Sequence, residues 1–379
     1  MKSVGLINFH GAHNYGSALQ AYALRRVVGN LGFKAETINF RSHQQKSMYK
    51  IFLKSNRLSV IPKNLIKLIF YRELKKKGKR FEQFMVEKLN IGPVEYNSTD
   101  QLKKNPPQYD YYICGSDQVW NMNCPDYEDA YFLTFVPEGK KKIAYGPSFG
   151  TTYFNQTIIN KLKDFIVKID RLSVREEQGA HFIKDLVNEK AEIVLDPTLL
   201  LSANDWSEIA IEPNIKRPYI LCYFLENNMG DKRYLEYLKT KTGYDVVILN
   251  DYIRDILKGY TTRFSTGPQE FIGLFKNASL IYTNSFHGTV FANIFEKPFF
   301  VAVGNTDNKT VNNTDSRKID FLKTIGLLSR ILYDKCPKEE EILTLDFTES
   351  RKKILELRET SINYLSKSLD INSNRKRVC

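Results

Sequence analysis

The chain has 379 residues, of which 42% are hydrophobic and 13% aromatic, with 24 Phe and 22 Tyr. This apolar content excludes a disordered or fibrous chain, and a length beyond the ~100–200 residues of one domain implies two core-bearing domains. The formal charge of +13 favours polyanionic partners such as lipid head groups or a diphosphate-linked substrate, but no nucleic-acid module pattern accompanies it.

No apolar run approaches the ~20 residues that span a bilayer, and the opening "MKSVGLINFHGAHNYGS" lacks the apolar region and cleavage site of a secretory signal. Cys114, Cys124, Cys222, Cys336 and Cys379 are scattered and odd in number. They predict neither a disulfide framework nor a zinc site, and they fit a reducing cytoplasm. The expected location is therefore the cytoplasm, with peripheral contact to the inner face of the plasma membrane.

In chain order, "SVGLINF" reads as a strand, "HGAHNYG" as a loop and "SALQAYALRRVVGNLG" as a helix closed by Gly32. The strand "AETINF" completes a βαβ unit. Residues 41–105 are basic and largely helical in pattern, an apparent insertion. Within it "YRELKKKGKRFEQF" gathers Arg72, Lys75, Lys76, Lys77, Lys79 and Arg80, either a solvated helix face or a contact for anions. The sheet resumes at Tyr111–Cys114, followed by strands in "KKIAYGPSFG", "DRLSV" and "AEIVLDPTLLLS". Pro197 argues against further central pairing.

A second alternating series begins at "RPYILCYFLE" and continues through "YDVVILN", "ASLIYTN" and "PFFVAVG" with helices between. A polar loop, "NTDNKTVNNTDSRK", and the helix "IDFLKTIGLL" follow. The chain ends in a long charged helix and a basic tail. The expected fold is α/β: a Rossmann-like domain over residues 1–200 on the acceptor side, a second over 201–345 on the donor side, and a C-terminal helix and tail over 346–379. Alternating strands and helices imply parallel sheets covered on both faces, whose strand ends face one another across a cleft.

Four strand-end turns combine glycine with polar residues, and together they describe one composite site. In "HGAHNYGSALQ", Ser17 is a candidate N-cap, and His13, Asn14, Tyr15 and Ser17 either serve the turn or touch an acceptor. In "CGSDQVWN", Asp117 either caps a helix or takes a proton from a hydroxyl. Trp120, with Asn121 beside it, is either core or a platform for a sugar ring. In "SVREEQGA", Arg175 suits a carboxylate or phosphate unless it pairs with an adjacent glutamate. In "TNSFHGTVF", His287 sits with Asn284, Ser285 and Gly288 where a strand turns into a helix whose N–H groups suit an anion.

These stretches, with "VLDPTLLLSANDW" and "NASLIYTNSFHGTVFANIFEKPF", make the chain resemble the polysaccharide pyruvyl transferase family, in the family's order from about residue 4 to 326. The resemblance implies two domains of the GT-B type and transfer of a pyruvate ketal from phosphoenolpyruvate to a sugar, without a further cofactor. It maps the family's donor-binding arginine and histidine onto Arg175 and His287. Several members carry an arginine two places before that histidine, and here the position is Ser285. Arg317, a lysine or backbone N–H groups must then supply the charge, or the donor differs.

On this reading Arg175 holds the donor carboxylate. The helix N-terminus after Gly288, with Arg317, holds the phosphate, His287 serves as acid or phosphate clamp, and Asp117 is the base. The acceptor is a saccharide on a lipid diphosphate. Two rivals remain: a nucleotide-sugar glycosyltransferase, whose ribose contact "VILNDYIRD" would have to supply, and a silent saccharide-binding relative, suggested by Ser285.

Overall fold

The computed structural model describes residues 1–52, 61–225, 232–249, 260–303, 313–333 and 335–371. The basic tail, the acidic residues of "VILNDYIRD" and the first part of the expected polar loop lie outside them. The chain forms two compact units, one from residues 1–50, 82–201 and 355–379 and the other from 51–81 and 202–354.

In the first unit, β1 (Ser3–Ile7), β2 (Lys34–Thr37), β3 (Tyr111–Cys114) and β4 (Lys141–Ala144) form a parallel sheet in the order β2-β1-β3-β4. The Ala144 N–H donates to the Arg171 carbonyl at 2.9 Å, and Ile143 bridges Arg171, so the chain leading into the separate parallel pair β5 (Ser173–Val174) and β6 (Glu192–Ile193) runs beside β4. Strand order reverses between β1 and β3. Ile7, Tyr112 and Cys114 of these two strands lie in one core with Trp120, Tyr131 and Phe132.

The second unit contains β7 (Tyr219–Tyr223), β8 (Asp245–Leu249), β9 (Thr261–Thr262), β10 (Leu280–Thr283), β11 (Phe299–Ala302) and β12 (Ile331–Leu332). Their order is β12-β11-β10-β7-β8-β9, and every pairing is parallel. Counted outward from β7, this is the doubly wound Rossmann order, with its reversal between β7 and β10. Both strands are buried throughout, as expected when helices cover both faces of a parallel sheet. Two Rossmann-like domains were expected, and two are present.

Several boundaries differ from the expectation. The first helix is Tyr15–Asn30, capped by Asn14, whose side chain accepts from the Ser17 N–H at 3.2 Å. The cap is thus Asn14 and not Ser17. Gly32, just beyond this helix, has φ +89, the left-handed geometry of a helix stop. Residues 313–318 are helical, part of the helix Asn313–Thr324, where a loop was expected. That places Arg317 on a helix.

The basic insertion divides between the units, although it was expected to belong to the first domain. Phe70 stacks on Phe264 at 4.5 Å, while Arg80 pairs with Glu270 at 2.9 Å and donates to the Ser265 carbonyl at 2.6 Å. The C-terminal helix Thr348–Ser368 begins in the second unit, where Arg351 pairs with Glu296 at 2.7 Å. It ends in the first, where Arg358 donates to the Leu199 carbonyl at 2.7 Å and the Tyr364 hydroxyl to Ala144 at 2.8 Å. Among the described residues no helix is long and apolar enough to cross a membrane.

Candidate functional site

In a doubly wound sheet the loops at the reversal point part to opposite faces and leave a crevice at the carboxyl ends of the strands. The first unit fills this position from β1 and β3. Ser17, in the first turn of the helix that follows β1, donates its hydroxyl to Asp117 Oδ2 at 2.6 Å. Asp117 stands three residues beyond β3 at φ +69, and its Oδ1 accepts from the Gln118 N–H at 2.9 Å.

The loop carrying Asp117 is clamped on both sides. The Ser116 N–H donates to Gln20 Oε1 at 2.9 Å, the Ser116 hydroxyl to the Gly146 carbonyl at 2.8 Å, and the Ser148 N–H to the Asp117 carbonyl at 2.8 Å. Gly115, at φ +140, has no room for a side chain, because a Cβ would stand 2.0 Å from the Tyr145 carbonyl oxygen. No helix follows Asp117, which removes the capping alternative. The result is a half-buried carboxylate with a hydroxyl donor fixed against it.

The remaining residues assigned to the acceptor separate. Trp120 is 0% exposed, stacked on Phe132 at 4.9 Å, with its indole N–H donated to the Tyr131 carbonyl at 3.1 Å. It has no face open to a sugar and belongs to the core. Tyr15 is buried as well. Asn121 is half-buried and donates to Gln118 Oε1 at 3.0 Å. His13 Nε2 lies 3.0 Å from Glu82 Oε1, and Arg41 reaches the same carboxylate at 3.0 Å. Burial works against the Glu82 carboxylate, but His13 and Arg41 outweigh it and hold its pKa below the usual range.

His10, in the same turn, is fully buried, and burial together with the cationic Arg41 lowers its pKa from 6.5 to about 3, against weaker opposing effects of Asn8, Glu82 and Asn39. The unfolded chain binds this proton near the ordinary value while the fold excludes it. His10 therefore contributes stability that is whole above about pH 6.5 and is lost as pH falls toward about 3. Urea unfolding between about pH 5.5 and 4, inside the window from 6.5 to about 3, is expected to show a slope approaching about 1.4 kcal/mol per pH unit from this one proton. The variant His10→Gln is expected to lose that slope.

Arg175 follows β5 directly. Its Nε donates to Glu176 Oε1 at 2.9 Å and its Nη1 to Asp196 Oδ2 at 2.7 Å, and its side chain is 4% exposed. Burial alone would lower the guanidinium's pKa, but the carboxylates of Glu176, Asp196 and Asp117 outweigh it and raise it above the ordinary value. The alternative to anion binding, a pairing with an adjacent glutamate, is present, and Asp196 is a second partner that was not expected. "LDP" carries a signal for it: an aspartate before a proline is a helix N-cap pattern, and Asp196 Oδ1 does accept from the Thr198 N–H at 3.0 Å.

In the second unit the reversal lies between β7 and β10, and Asn284 bridges it. The Leu225 N–H donates to Asn284 Oδ1 at 2.7 Å, and Asn284 Nδ2 donates to the Leu225 carbonyl at 3.2 Å. Ser285 caps the helix Phe286–Ile294, its Oγ accepting from the Gly288 N–H at 3.3 Å. The helix starts two residues before Gly288, not after it, so His287 stands within its first turn, 9% exposed and edge-on to Phe286 at 5.3 Å. First-turn N–H groups lack intrahelical partners, and the helix dipole adds a partial positive charge.

Lys318 is 3% exposed, and its ammonium donates to the Asn284 carbonyl at 2.8 Å and the Ala302 carbonyl at 3.1 Å. A buried cation thus spans the carboxyl ends of β10 and β11 beside Ser285. Arg317 precedes it on the same helix, half-buried. Nothing in the local pattern around Lys318 singles it out, because only tertiary pairing places it there.

Gly288 packs against the end of β10, where a Cβ would stand 2.3 Å from Thr283 Oγ1 and 3.0 Å from Thr283 Cβ. Thr283 is held in turn, its hydroxyl donating to the Tyr223 carbonyl and accepting from the Ser285 N–H at 3.0 Å. Gly288→Ala is expected to destabilise the protein by about 1–3 kcal/mol through overpacking. Denaturant unfolding should show an earlier midpoint at unchanged slope.

The model of one protein family, polysaccharide pyruvyl transferase, matches residues 14–307. This stretch holds Asp117, Arg175 and His287 but ends before Lys318. No curated protein matches the chain. Among solved structures, the UDP co-structure of MnaA from S. aureus is similar at a TM-score of 0.50 and 11% identity, covering 98% of this chain and 98% of that one. The UDP-N-acetylglucosamine 2-epimerase from Rickettsia bellii gives a TM-score of 0.44 at 11% identity, covering 98% and 100%. The MnaA likeness bears on the fold, which is of the two-domain GT-B type, and not on the substrate.

Proposed function

The chain belongs to the polysaccharide pyruvyl transferase family and is a transferase; from that premise we propose that it moves the pyruvyl group of phosphoenolpyruvate onto two hydroxyls of a lipid-diphosphate-linked saccharide. The donor's methylene carbon takes a proton, and one sugar oxygen bonds to the neighbouring carbon. The C–O bond to phosphate then breaks, and a second sugar oxygen closes the cyclic ketal. Of the two hydroxyl protons released, one balances the proton taken up by carbon and the other leaves with phosphate.

His287 is the acid or phosphate clamp, at a helix start whose dipole favours the dianion. Lys318 supplies the charge that Ser285 does not, its ammonium 2.8 Å from the Asn284 carbonyl. Arg317 on the same helix adds to it. Asp117 takes the proton of an attacking hydroxyl, with Ser17 fixing the carboxylate at 2.6 Å. The basic face of the helix Tyr71–Lys88 holds the enzyme at the inner face of the membrane, at about 1 kcal/mol per basic residue near an anionic surface.

The observation that carries this reading is the family match across residues 14–307, which includes both reversal-point loops. The test incubates the purified chain with phosphoenolpyruvate and a panel of oligosaccharides, following phosphate release and acceptor mass. Acceptor-dependent phosphate release with a matching mass gain supports the reading. Release of UDP from a UDP-sugar in a parallel reaction, with phosphoenolpyruvate untouched, replaces it with glycosyl transfer.

A further inference from the structure

The helix Ile61–Ile69 leaves apolar side chains in water. Leu65 is 59% exposed, Leu68 60% and Ile69 75%, and their i, i+3, i+4 spacing puts them on one face. At the end of this helix Phe52 and Tyr71, both exposed, stack with ring centroids 5.8 Å apart. The next helix, Tyr71–Lys88, continues with Arg72, Lys75, Lys76 and Lys79, all exposed and again on one face by spacing.

The segment is anchored beyond the helix Ile61–Ile69, where Phe70 stacks on Phe264 at 4.5 Å and Arg80 pairs with Glu270 at 2.9 Å. The apolar ridge is therefore a fixed outward feature of the second unit. Leu and Ile beside an aromatic pair and a basic face is the arrangement of a surface that lies in the head-group region of a membrane. A second copy of this chain fits poorly, because a two-fold contact would set the same cations against each other, and three aliphatic side chains fall far short of the roughly 1,200 Å² of a stable interface.

We infer that Leu65, Leu68 and Ile69 insert into the acyl boundary of an anionic bilayer while Arg72, Lys75, Lys76 and Lys79 contact its phosphates. The inference deepens the proposed membrane location by assigning it an apolar, salt-resistant part. It rests on that location and not on the chemistry of the donor.

The experiment is co-sedimentation of the full chain with phosphatidylcholine vesicles, with and without phosphatidylglycerol, at low and high salt. The wild type is expected to bind anionic vesicles at low salt and to keep a measurable fraction bound at high salt, where charge contacts are screened. The variant Leu65→Ser/Leu68→Ser/Ile69→Ser is expected to bind at least about tenfold more weakly at both salts. Lys75→Gln/Lys76→Gln/Lys79→Gln should lose mainly the salt-sensitive part. Equal binding by the ridge variant and the wild type overturns the inference. So does a concentration-dependent dimer that the ridge variant abolishes, since the ridge then meets a second copy.

Unfolding midpoints equal to wild type show that these surface variants fold. If vesicle binding behaves as expected but no phosphoenolpyruvate is consumed, the ridge stands and the proposed chemistry falls. If a soluble acceptor is turned over but vesicles are not bound, the chemistry stands and the ridge falls.

Discussion

His287→Ala is expected to lower the turnover of acceptor-dependent phosphate release by about 10²- to 10⁴-fold, the range for removing a positioned acid or base from a transition state. The expectation follows from placement. His287 is in the first turn of the helix Phe286–Ile294, beside the point where strand order reverses between β7 and β10. The cap by Ser285 and the cross-strand bonds of Asn284 hold that turn, and the imidazole packs edge-on to Phe286 beside them. An unfolding midpoint near that of wild type would show that the steady-state kinetics read chemistry and not folding.

Lys318→Met is the informative companion, because it keeps the length of the side chain and removes the charge between β10 and β11. If the ammonium binds the donor equally in the ground and transition states, the Michaelis constant for phosphoenolpyruvate should rise by about tenfold with turnover nearly unchanged. Normal kinetics in both variants would move the donor site away from this turn.

The reversal-point turns are legible in the sequence because their strands are short, continuous apolar runs bounded by glycine and polar residues. "YYIC" and "LIYT" are buried at every position, and no amphipathic alternation blurs their ends. The strands Thr261–Thr262 and Ile331–Leu332 have two residues each, too few for a period to register. Ser17 and Asp117 each stand out in their own turns, but their bond joins residues 100 apart, a distance over which local pattern says nothing. The same limit leaves the place of Trp120 open between core and surface: its stacking on Phe132 and its tilted contact with Phe149 are products of the tertiary fold. Lys318 is hidden in what reads as a polar loop, and only the carbonyls at the ends of β10 and β11 distinguish it from the other lysines.

Arg175→Met is expected to destabilise the protein by about 3–5 kcal/mol, the loss that follows when one partner of a buried ion pair is removed. Here two carboxylates lose their cation, and the side chain of Asp196 is 0% exposed, so water does not replace the guanidinium. Asp196 also caps the turn Pro197–Leu200 through its other oxygen, which ties the ion pair to the backbone following β6. Arg175→Lys should fall between, since one ammonium lacks the fork that reaches Glu176 and Asp196 together. The double variant Arg175→Met/Asp196→Asn should recover part of the loss, because the amide oxygen keeps the cap while the uncompensated charge is gone; a double-mutant cycle in urea gives the coupling. The resemblance assigns this arginine to the donor's carboxylate, and the same variants separate the two roles. If Arg175→Met unfolds like wild type but no longer saturates with phosphoenolpyruvate, the guanidinium serves the donor, and its two carboxylates are partners it can release. If stability falls as expected while Arg175→Met still binds the donor, the charge is committed to the fold, and anion binding belongs to the turn that carries His287 and to Lys318 on the helix Asn313–Thr324.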